Sequence, residues 1–346
     1  MTDASPCSEP AAIFRAQLQR EEPLLALAPM QAITDWDFIR LQRHYGGADV
    51  CFIEYFRVTK DSTLDRDLVR CFTENPTDKP TVAQMIGNDI DAMCRTIAEL
   101  QRLPVAAIDL NLGCPAPRVF NKCAGGGLLR DLPRVDRILG ALRQAITEVP
   151  FTVKTRVGVE NTAEFPAILE VLARHELDLV TIHGRTVREM YRSAVHYDQI
   201  ARAVQTLPCP VLANGSIDSA EIAQQVAART GVRGFMLGRS AIRNPWLFEQ
   251  IRQTFRGGSA PRPTGRDVLA YLHALYDAMT HDHFAEIDRV HRVKKFMNFI
   301  GAGLPDGEAF LHPVRRATTR EALLTPAVAF LDHDEPLDLV PIAEAN

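Results

Sequence analysis

The sequence has no long apolar run, no Cys-x-x-Cys pair and no excess of positive charge. No segment approaches the roughly 20 apolar residues that a membrane-spanning helix needs, so we expect no membrane association. Residues 1–22 lack a basic start followed by an apolar stretch, so we expect no signal peptide. The net charge of −4 argues against a protein that coats nucleic acid through bulk positive charge. Any binding of nucleic acid must therefore depend on a local basic patch.

Cysteine is scattered rather than patterned along the chain. The seven cysteines are odd in number, and no two of them have the spacing of a metal-binding or redox pair. This distribution argues against a disulfide framework and against a zinc site, so we expect no metal centre. Free thiols are typical of a reducing compartment, and the sequence therefore predicts a cytoplasmic protein.

Short apolar segments, each bounded by Pro, Gly, Asn or Asp, recur through residues 24–237 and are typical of buried strands. The stretches between them are long enough for helices, for example Asp89 to Gln101 and Thr162 to His175. This alternation predicts an α/β fold with a parallel sheet, and eight units favour a closed (β/α)8 TIM barrel over an open doubly wound sheet. The predicted strands are 24–28, 49–55, 81–86, 105–110, 151–157, 178–182, 210–213 and 234–237.

The 346 residues have room for one barrel of about 250 residues and a smaller domain. We predict a polar N-terminal tail over 1–22 that ends in a short amphipathic piece, and a barrel domain over 23–256. The breaker-rich segment 257–263 is typical of a linker, and a small all-α domain is predicted at 264–340. No apolar stripe or obligate protein partner is evident, so a monomer is the default. The predicted helices of the second domain are 265–283, 285–301 and 314–331.

Several predicted strands end in polar residues, and the carboxyl ends of the strands carry the active site in (β/α)8 barrels. The fourth strand exits into Asn-x-Gly-Cys-Pro, which places the Cys114 thiol at this face. Lys154 and Arg156 share one face of the fifth strand because side chains alternate with a period of two. They need an anion or an electron-rich ligand, with a buried ion pair to Asp109 as the structural alternative. His183 precedes a glycine turn, which favours a functional role.

The last two strands indicate a phosphate-bearing cofactor. They end in Asn214-Gly215-Ser216 and Gly238-Arg239, and barrels often bind phosphate with the loops after strands 7 and 8. Gln84, an amide within the apolar third strand, can donate and accept at the edge of a heterocycle. Ala28-Pro29-Met30 predicts a stiff turn in which Met30 can pack against a flat ring. Flavin mononucleotide (FMN) fits this set, with Lys154 near N1 and O2, where reduced flavin gathers negative charge.

No neighbouring motif makes Cys114 a nucleophile for acyl transfer. An ordinary thiol has a pKa of about 8.5 and is mostly protonated at neutral pH, so this residue can act as a general acid. A thiol acid beside a reduced flavin predicts reduction of a polarised C=C bond, and a uracil ring suits this chemistry. Hydride would pass from flavin N5 to C6, and the thiol proton to C5. Asn111 could bind the ring edge, and His183 or Arg185 could stabilise the developing enolate.

The motifs that carry a family resemblance are Ala28-Pro29-Met30, Gln84, Asp109 to Pro115, Val153 to Arg156, His183-Gly184-Arg185-Thr186, Asn214-Gly215-Ser216 and Gly238-Arg239. In this order they resemble the tRNA-dihydrouridine synthases over most of residues 24–250. The resemblance implies FMN as cofactor, NADPH as electron donor, and reduction of specific tRNA uridines to 5,6-dihydrouridine. It makes Cys114 the proton donor and places Asn111 and Arg156 facing the uridine. The flavin-binding positions of the family match Gln84, Lys154, His183, Asn214, Gly215, Ser216, Gly238 and Arg239.

The resemblance is weaker in two places. Family members often carry an acidic residue where Ser216 stands, but its backbone N–H would bind the phosphate, so binding should survive. The C-terminal domain, which grips tRNA in the family, has no motif that matches clearly. It carries what we call the basic patch, which can guide a folded RNA through salt-sensitive contacts, although a solvated helix face is the plain alternative. The target uridine would have to leave its stack. The basic patch comprises Arg289, Arg292, Lys294, Lys295, Arg315, Arg316 and Arg320.

The sequence leaves two other functions to weigh. A dihydroorotate or dihydropyrimidine dehydrogenase is also an FMN barrel, with a Cys or Ser at a comparable loop, and acts on a free pyrimidine. The appended helical domain and the His-Gly-Arg-Thr and Asn-x-Gly-Cys-Pro motifs argue against it. The second alternative is a tRNA-binding protein that keeps the barrel only as a scaffold. Intact Cys114, Lys154 and His183 argue against that loss of activity.

Overall fold

The strands are β1 (Leu24–Leu27), β2 (Val50–Phe52), β3 (Phe56–Arg57), β4 (Thr81–Ile86), β5 (Ala107–Leu112), β6 (Phe151–Arg156), β7 (Leu179–His183), β8 (Val211–Asn214) and β9 (Gly234–Leu237). They belong to a computed structural model that describes residues 8–259, 262–279 and 284–341. All pairings between these strands are parallel. β1 pairs with β2 and β9, and β2 with β4, so the sheet closes on itself. β3 also pairs with β4 and continues the barrel strand that β2 begins. The predicted (β/α)8 barrel is confirmed.

The α-helices are α1 (Ser8–Leu18), α2 (Trp36–Gln42), α3 (Arg66–Thr73), α4 (Ile90–Leu100), α5 (Pro117–Phe120), α6 (Leu132–Ala145), α7 (Phe165–Leu172), α8 (Tyr197–Thr206), α9 (Ala220–Thr230), α10 (Arg239–Arg243), α11 (Leu247–Phe255), α12 (Gly265–Met279), α13 (Glu286–Gly301), α14 (Gly307–Arg316) and α15 (Arg320–Leu331). Short 3₁₀ turns lie at Arg43–Tyr45, Gly125–Arg130 and Thr162–Glu164. Capping carboxylates fix several helix starts. The Asp89 side chain, for example, accepts a hydrogen bond from the Ala92 N–H at 3.0 Å and begins α4.

The fourth barrel strand lies two residues later than the sequence predicts. Val105 is held in a turn, in which its N–H donates to the Leu103 carbonyl at 2.7 Å. Asn111 and Leu112 instead continue the ladder and pair with β6. Asn111 therefore stands on the strand itself, so its position is fixed by the backbone of the sheet rather than by a turn.

Helix α1 packs at the amino ends of the strands, within the stretch predicted as a polar tail. Ala11, Phe14 and Leu18 share one helix face, and Phe14 and Leu18 join the core cluster that contains the first residue of β1. The Arg233 guanidinium donates to the carbonyls of Leu18 and Gln17 at 2.8 and 2.6 Å. A third donor reaches the Glu22 carbonyl at 2.6 Å. The apolar spacing within 8–18 explains why this segment packs; residues 1–7 lie outside the described residues.

The chain forms two compact units. The first comprises residues up to Trp36, 48–217 and 223–237, and contains the strands. The second comprises 37–47, 218–222 and 238 onward, so it includes α10 and α11 as well as α12 to α15. Its core contains Phe38, whose ring centroid lies 5.4 Å from that of Phe296. Of the predicted helix 265–283, residues 280–283 lie outside the described residues. Within the part of the chain that the structure describes, no helix is long and apolar enough to cross a membrane.

Candidate active site at the carboxyl ends of the strands

The strand register brings polar residues of neighbouring strands side by side at the carboxyl end of the barrel. All of them belong to the first compact unit. Because parallel strands end at the same edge, their side chains form one polar ring around the mouth of the barrel. The opposed pairs are Gln84 with Asp109, Asn111 with Lys154, Arg156 with His183, and His183 with Asn214.

Cys114 follows β5 in a turn that its own neighbours hold in place. The Asn111 Oδ1 atom accepts hydrogen bonds from the backbone N–H groups of Gly113 and Cys114 at 3.0 and 2.9 Å. The Cys114 carbonyl accepts a third from the Gly126 N–H at 3.1 Å. The Cys114 side chain is half-buried. The turn therefore fixes the position of a thiol that a ligand can still reach.

A run of three glycines, 125–127, packs directly against this turn. Gly125 has a φ of +54°, and a Cβ there would lie 3.0 Å from the Cβ of Cys114 and 2.9 Å from Cδ1 of Ile86. A Cβ on Gly127 would lie 2.4 Å from the Phe120 carbonyl oxygen. Only glycine allows the backbone to approach this closely. The run therefore forms a tight wall behind the thiol.

A chain of hydrogen bonds links a buried carboxylate to the Cys114 turn. The Asp109 Oδ2 atom accepts from Gln84 Nε2 at 2.7 Å, and Gln84 Oε1 accepts from Asn111 Nδ2 at 2.8 Å. Asp109 also accepts from the Thr152 hydroxyl at 2.5 Å. Because an ionised carboxylate can only accept, it fixes which end of each amide faces which partner. Burial raises the pKa of Asp109 to about 6, against the opposing effect of these hydrogen bonds.

Gln84 is completely buried, so in this arrangement its amide acts on the site through Asp109 and Asn111. Direct contact between Gln84 and a cofactor stays a prediction. Asn111 is also largely buried, and its amide is engaged with Gln84 and the Cys114 turn. Its predicted contact with the substrate ring stays a prediction as well. The structure therefore adds a role in positioning the thiol for both amides.

Lys154 lies on β6 with its ammonium group held at the neighbouring strand end. Its Nζ atom donates to Asn214 Oδ1 at 3.1 Å, and the Asn214 amide donates in turn to the Met236 carbonyl at 2.8 Å. Burial lowers the pKa of Lys154 to about 8, and the positive charge of Arg156 acts in the same direction. The negative charge of Asp109 opposes that shift. Lys154 thus carries a positive charge at neutral pH in a site that disfavours it, which suits binding to an electron-rich group.

Arg156 is almost fully buried and ties two loops of the mouth together. Its guanidinium donates to the carbonyls of Gly113, Thr186 and Met190 at 2.8, 2.9 and 2.8 Å. Burial lowers the pKa of Arg156 to about 10, so the group stays charged at neutral pH. The ring of Tyr191 lies 5.2 Å from its Cζ atom, within cation–π distance. The predicted contact of Arg156 with substrate stays a prediction, and the observed partners make it a clamp beside Cys114.

His183 and Arg185 meet the turn that follows β8. The Arg185 Nη2 atom donates to Ser216 Oγ at 2.8 Å, and its Nε atom donates to the Ser193 carbonyl at 2.6 Å. Arg185 Nη1 lies 3.4 Å from His183 Nε2. A Cβ on Gly215 would lie 2.9 Å from the His183 ring. The sequence did not predict the hydroxyl contact of Ser216, which orients one of the two candidate groups for stabilising an enolate.

The turn after β8 has the features of an anion cradle. Gly215 and Ser216 have φ values of +119° and +48°, and within the described chain neither of their N–H groups donates to a protein acceptor. The Gly215 carbonyl is instead turned toward Tyr197, whose hydroxyl donates to it at 2.9 Å. Successive backbone N–H groups in such turns bind phosphates. The turn therefore fits the phosphate of a nucleotide cofactor.

The remaining predicted cofactor residues lie at the first and last strand ends. The Ala28 N–H donates to the Leu237 carbonyl at 2.7 Å, and the Met30 N–H donates to the Thr34 hydroxyl at 2.7 Å. These bonds make the Ala28-Pro29-Met30 turn as rigid as predicted. In the second unit, Gly238 precedes α10 and Arg239 is exposed at its first position. Cofactor contacts of these residues stay predictions.

Several cations of the basic patch have carboxylate or carbonyl partners within the second unit. Arg292 lies 3.4 Å from an Asp37 carboxylate oxygen, and Arg320 lies 3.6 Å from one of Asp277. Lys294 donates to the Arg315 carbonyl at 3.0 Å. Such pairs hold the charges in place rather than removing them from the surface. The role of this patch in RNA binding stays a prediction.

Two tyrosines at the mouth were not predicted from the sequence. Tyr55 follows β2 and is half-buried, and its hydroxyl donates to Gln31 Oε1 at 3.0 Å. Tyr191 is 46% exposed, and its ring centroid lies 5.8 Å from that of His183. Tyr55 is the last residue of a predicted strand, and that position was a signal that could have identified it. Tyr191 lies in an irregular loop and carries no comparable signal.

A closed parallel barrel with a positioned thiol and a buried lysine at its carboxyl face defines a (β/α)8-barrel enzyme, and the turn after β8 would suit a phosphate-bearing cofactor. The sequence model of the dihydrouridine synthase (Dus) family matches residues 26–324, most of the chain. The chain therefore belongs to the dihydrouridine synthase family, as the sequence motifs predicted.

Two curated relatives illustrate the match. The tRNA-dihydrouridine synthase B of Pseudomonas aeruginosa is 35% identical over 263 residues, which cover 73% of this chain and 78% of the relative. A probable tRNA-dihydrouridine synthase of Rickettsia prowazekii is 30% identical over 288 residues, which cover 82% and 87%. Both alignments therefore extend over most of each protein.

Similar solved structures support the fold alone. A complex of 2-naphthoyl-CoA reductase has a TM-score of 0.52 at 9% identity, over 68% of this chain and 50% of that one. Histamine dehydrogenase from Rhizobium sp. 4-9 has a TM-score of 0.51 at 11% identity, over 72% and 48%. The chain thus spans about half the length of these two structures. At such low identity they show a shared barrel architecture and nothing about the substrate.

Proposed function

We propose that this protein reduces specific uridines in tRNA to 5,6-dihydrouridine with a flavin cofactor. Family membership supports both the flavin and the tRNA substrate. The observation that carries the proposal is the Cys114 thiol, held by Asn111 at the carboxyl end of the barrel, beside the strand that bears Lys154. FMN as the flavin, NADPH as the electron donor, a cytoplasmic location and a monomeric state belong to the same proposal.

The residues present fit an FMN molecule. The Gly215-Ser216 cradle would hold its phosphate, and Gly238 and Arg239 are proposed as further cofactor-binding residues. The Lys154 ammonium, only partly neutralised, would face the electron-rich edge of the ring. Met30 and His183 would pack around it. A flavin held there would supply the hydride that C6 of the uracil needs.

Protein side chains supply the remaining chemistry. Cys114 would donate its proton to C5, and the Asn111 turn would keep the thiol directed at that carbon. Arg185, held by Ser216, would stabilise the enolate oxygen as negative charge develops. Asn111 and Arg156 are proposed to contact the uracil. The uridine must leave its stack to reach this mouth, as in other enzymes that act on a base.

A turnover experiment tests the proposal. The flavin-loaded protein is reduced anaerobically with NADPH, or with NADH for comparison, and mixed with tRNA that lacks dihydrouridine. We expect flavin reoxidation, followed by absorbance, and a mass gain of two hydrogens at a defined uridine. The same tRNA carrying dihydrouridine beforehand is the matched control and should leave the flavin reduced. Oxidation by orotate or a free pyrimidine instead of tRNA would assign the protein to the small-molecule dehydrogenases.

A further inference from the structure

The loop after β7 contains a turn, residues 186–191, that packs against the loop of Cys114. The side chain of Val187 lies over Gly126 in the glycine wall, where an added Cβ would be 2.7 Å from Val187 Cγ2. The Gly126 N–H in turn donates to the Cys114 carbonyl at 3.1 Å. The Arg156 guanidinium binds two carbonyls of this turn as well as that of the residue before Cys114. The turn therefore acts on the position of the thiol by two routes.

Glu189 holds the turn from within. Its Oε2 atom accepts a hydrogen bond from the Thr186 N–H at 2.7 Å, and the Thr186 hydroxyl accepts one from the Glu189 N–H at 3.2 Å. Such a reciprocal pair fixes both ends of one turn of chain. Burial acts to raise the pKa of Glu189, but hydrogen bonds from His196 and Thr186 outweigh it, so this pKa lies below its ordinary value. Glu189 is therefore ionised at neutral pH, and both of its oxygens can accept.

His196 holds the same carboxylate from outside the turn. Its Nε2 atom lies 2.8 Å from Glu189 Oε1. His196 occupies the N-cap position of α8, where a capping side chain bonds to the first turn of its helix, but its ring forms no such bond. Its backbone N–H donates to the Gly184 carbonyl at 2.7 Å, and the Gly184 N–H donates to the Asn214 carbonyl of β8 at 3.1 Å. The imidazole thus joins the turn to a segment that is anchored on the sheet.

The two halves of the turn are held differently. The N–H groups of Val187 and Arg188 donate to carbonyls of the loop after β6 at 2.9 and 3.0 Å. From Glu189 onward, the contacts described above are made through the side chains of Glu189, His196 and Arg156. Loss of the pair would therefore loosen the second half of the turn, which carries one of the carbonyls that Arg156 binds.

We propose that Glu189 and His196 are positioning residues for the Cys114 thiol. They fix the turn 186–191, and Arg156 and the glycine wall pass that position on to the loop of Cys114. Neither residue has a part in the proton transfer itself, so their loss affects the chemical step by misplacing the thiol. This inference rests on the proposed function, in which Cys114 is the acid.

Steady-state kinetics of the flavin-loaded protein test this role. His196→Ala should lower kcat for tRNA reduction about 10-fold and leave KM for tRNA within about threefold. His196→Gln, whose amide can still donate to Glu189, should recover about half of the lost rate. The matched control is His175→Ala, which breaks a contact of the same kind and length, from His175 Nε2 to Asp136 Oδ1 of α6 at 2.8 Å, and should leave kcat unchanged. An equal loss in the control would overturn the inference, as would full activity of His196→Ala.

Limited digestion with trypsin separates this inference from the proposed function, because it needs no tRNA. Arg188 and Arg192 are exposed in this loop, and cleavage after them requires local opening of the chain. His196→Ala should speed that cleavage about 5- to 10-fold relative to cleavage after exposed Arg174, as followed by peptide mass spectrometry. An unchanged ratio would overturn the inference, as would faster cleavage with an unchanged kcat. Wild-type protein that never reduces tRNA would refute the proposed function, and the ratio would still decide whether His196 holds the turn.

Discussion

The two ends of the barrel are each held by an arginine that donates to three backbone carbonyls, but the loops that they hold differ. Arg233 ties down the end of α1 and the segment that follows it at the amino ends of the strands. Arg156 ties the residue before Cys114 to the loop after His183 at the carboxyl ends. The same device thus stabilises an apolar closure at one end and shapes a reactive site at the other.

The surroundings of the two clamps explain why chemistry is confined to one end. Beneath the amino ends, Phe14 and Leu18 join the core cluster of the barrel. At the carboxyl ends, the side chains of Asp109, Gln84 and Lys154 are polar or charged and are buried. Buried polar groups cost stability unless they are paired. We therefore expect the apolar packing at the amino ends to offset the cost of the buried polar groups at the carboxyl ends.

The largest expected effect is at the carboxyl end and is purely chemical. Cys114→Ala should reduce the rate of tRNA reduction by about 10²- to 10⁴-fold, because the proton donor to C5 is lost. The midpoint temperature of thermal unfolding should stay nearly unchanged, because the side chain is half-buried and small. The rate is measured by flavin reoxidation and cellular dihydrouridine by mass spectrometry. Normal dihydrouridine in cells that carry only this variant would contradict the assignment of the acid.

Exchanging each arginine for methionine tests whether the clamps differ as described. Arg156→Met should leave three carbonyls without their donor beside Cys114. We expect a loss of activity of about 100-fold from a misplaced thiol, with a loss of at least about 2 kcal/mol of stability. Activity is measured at saturating tRNA, and stability by denaturant unfolding.

Arg233→Met is the matched control for that change. It removes the same number of donors at the opposite end, so we expect a loss of about 1–3 kcal/mol of stability and no loss of kcat. If both variants lost activity to the same extent, the two clamps would be equivalent and the contrast between the ends would fail.

Phe14→Ala tests the apolar closure at the amino end. Phe14 is fully buried in the core cluster, so its removal should cost about 3–5 kcal/mol of stability. The rate per folded molecule should stay within about twofold, because the cavity lies at the end opposite the site. Unfolding in urea gives the first quantity, and turnover normalised to bound flavin gives the second. A proportionate loss of turnover would show that the two ends are coupled.

The last expected effect is a pH dependence of stability at the carboxyl end. Asp109 has its pKa raised from 3.8 to about 6, so its contribution to stability is present below pH 4 and lost as pH rises through 6. Asp109→Asn cannot ionise and lacks this loss. The stability of the variant relative to wild type should therefore improve by an amount on the order of 3 kcal/mol between pH 4 and 7. Unfolding curves at the two pH values measure it, and a constant difference would contradict a raised pKa.

Much of this arrangement was predictable because it depends on local pattern. Short apolar runs set the strands, and their period of two put Lys154 and Arg156 on one face. The sites at the ends of β5, β7 and β8 followed from strand ends alone. Features that depend on contacts between distant segments were less predictable: the sequence indicated a short amphipathic piece within 1–22, but not that a helix at 8–18 would pack its apolar face against the barrel.

The hydrogen-bond partners of the buried side chains were also not predictable from the sequence. Asp109 was considered as a partner for the two cations, whereas its hydrogen bonds go to Gln84 and Thr152 on the neighbouring strands. The contact of Arg156 with a ligand stays a prediction, but the carbonyls that its guanidinium reaches, up to 43 residues away, were not predicted. Side chains of this kind are specified by the register of the sheet, which exists only once the barrel has closed.

The glycine wall has a consequence for experiments that map function by mutation. Each of its positions excludes a side chain, and the run touches the Cys114 turn. In a saturation mutagenesis screen, these adjacent positions would register as intolerant with an activity phenotype, although glycine offers no group that could react. An active site defined from such a screen would wrongly include the glycine run among the residues that take part in the chemistry.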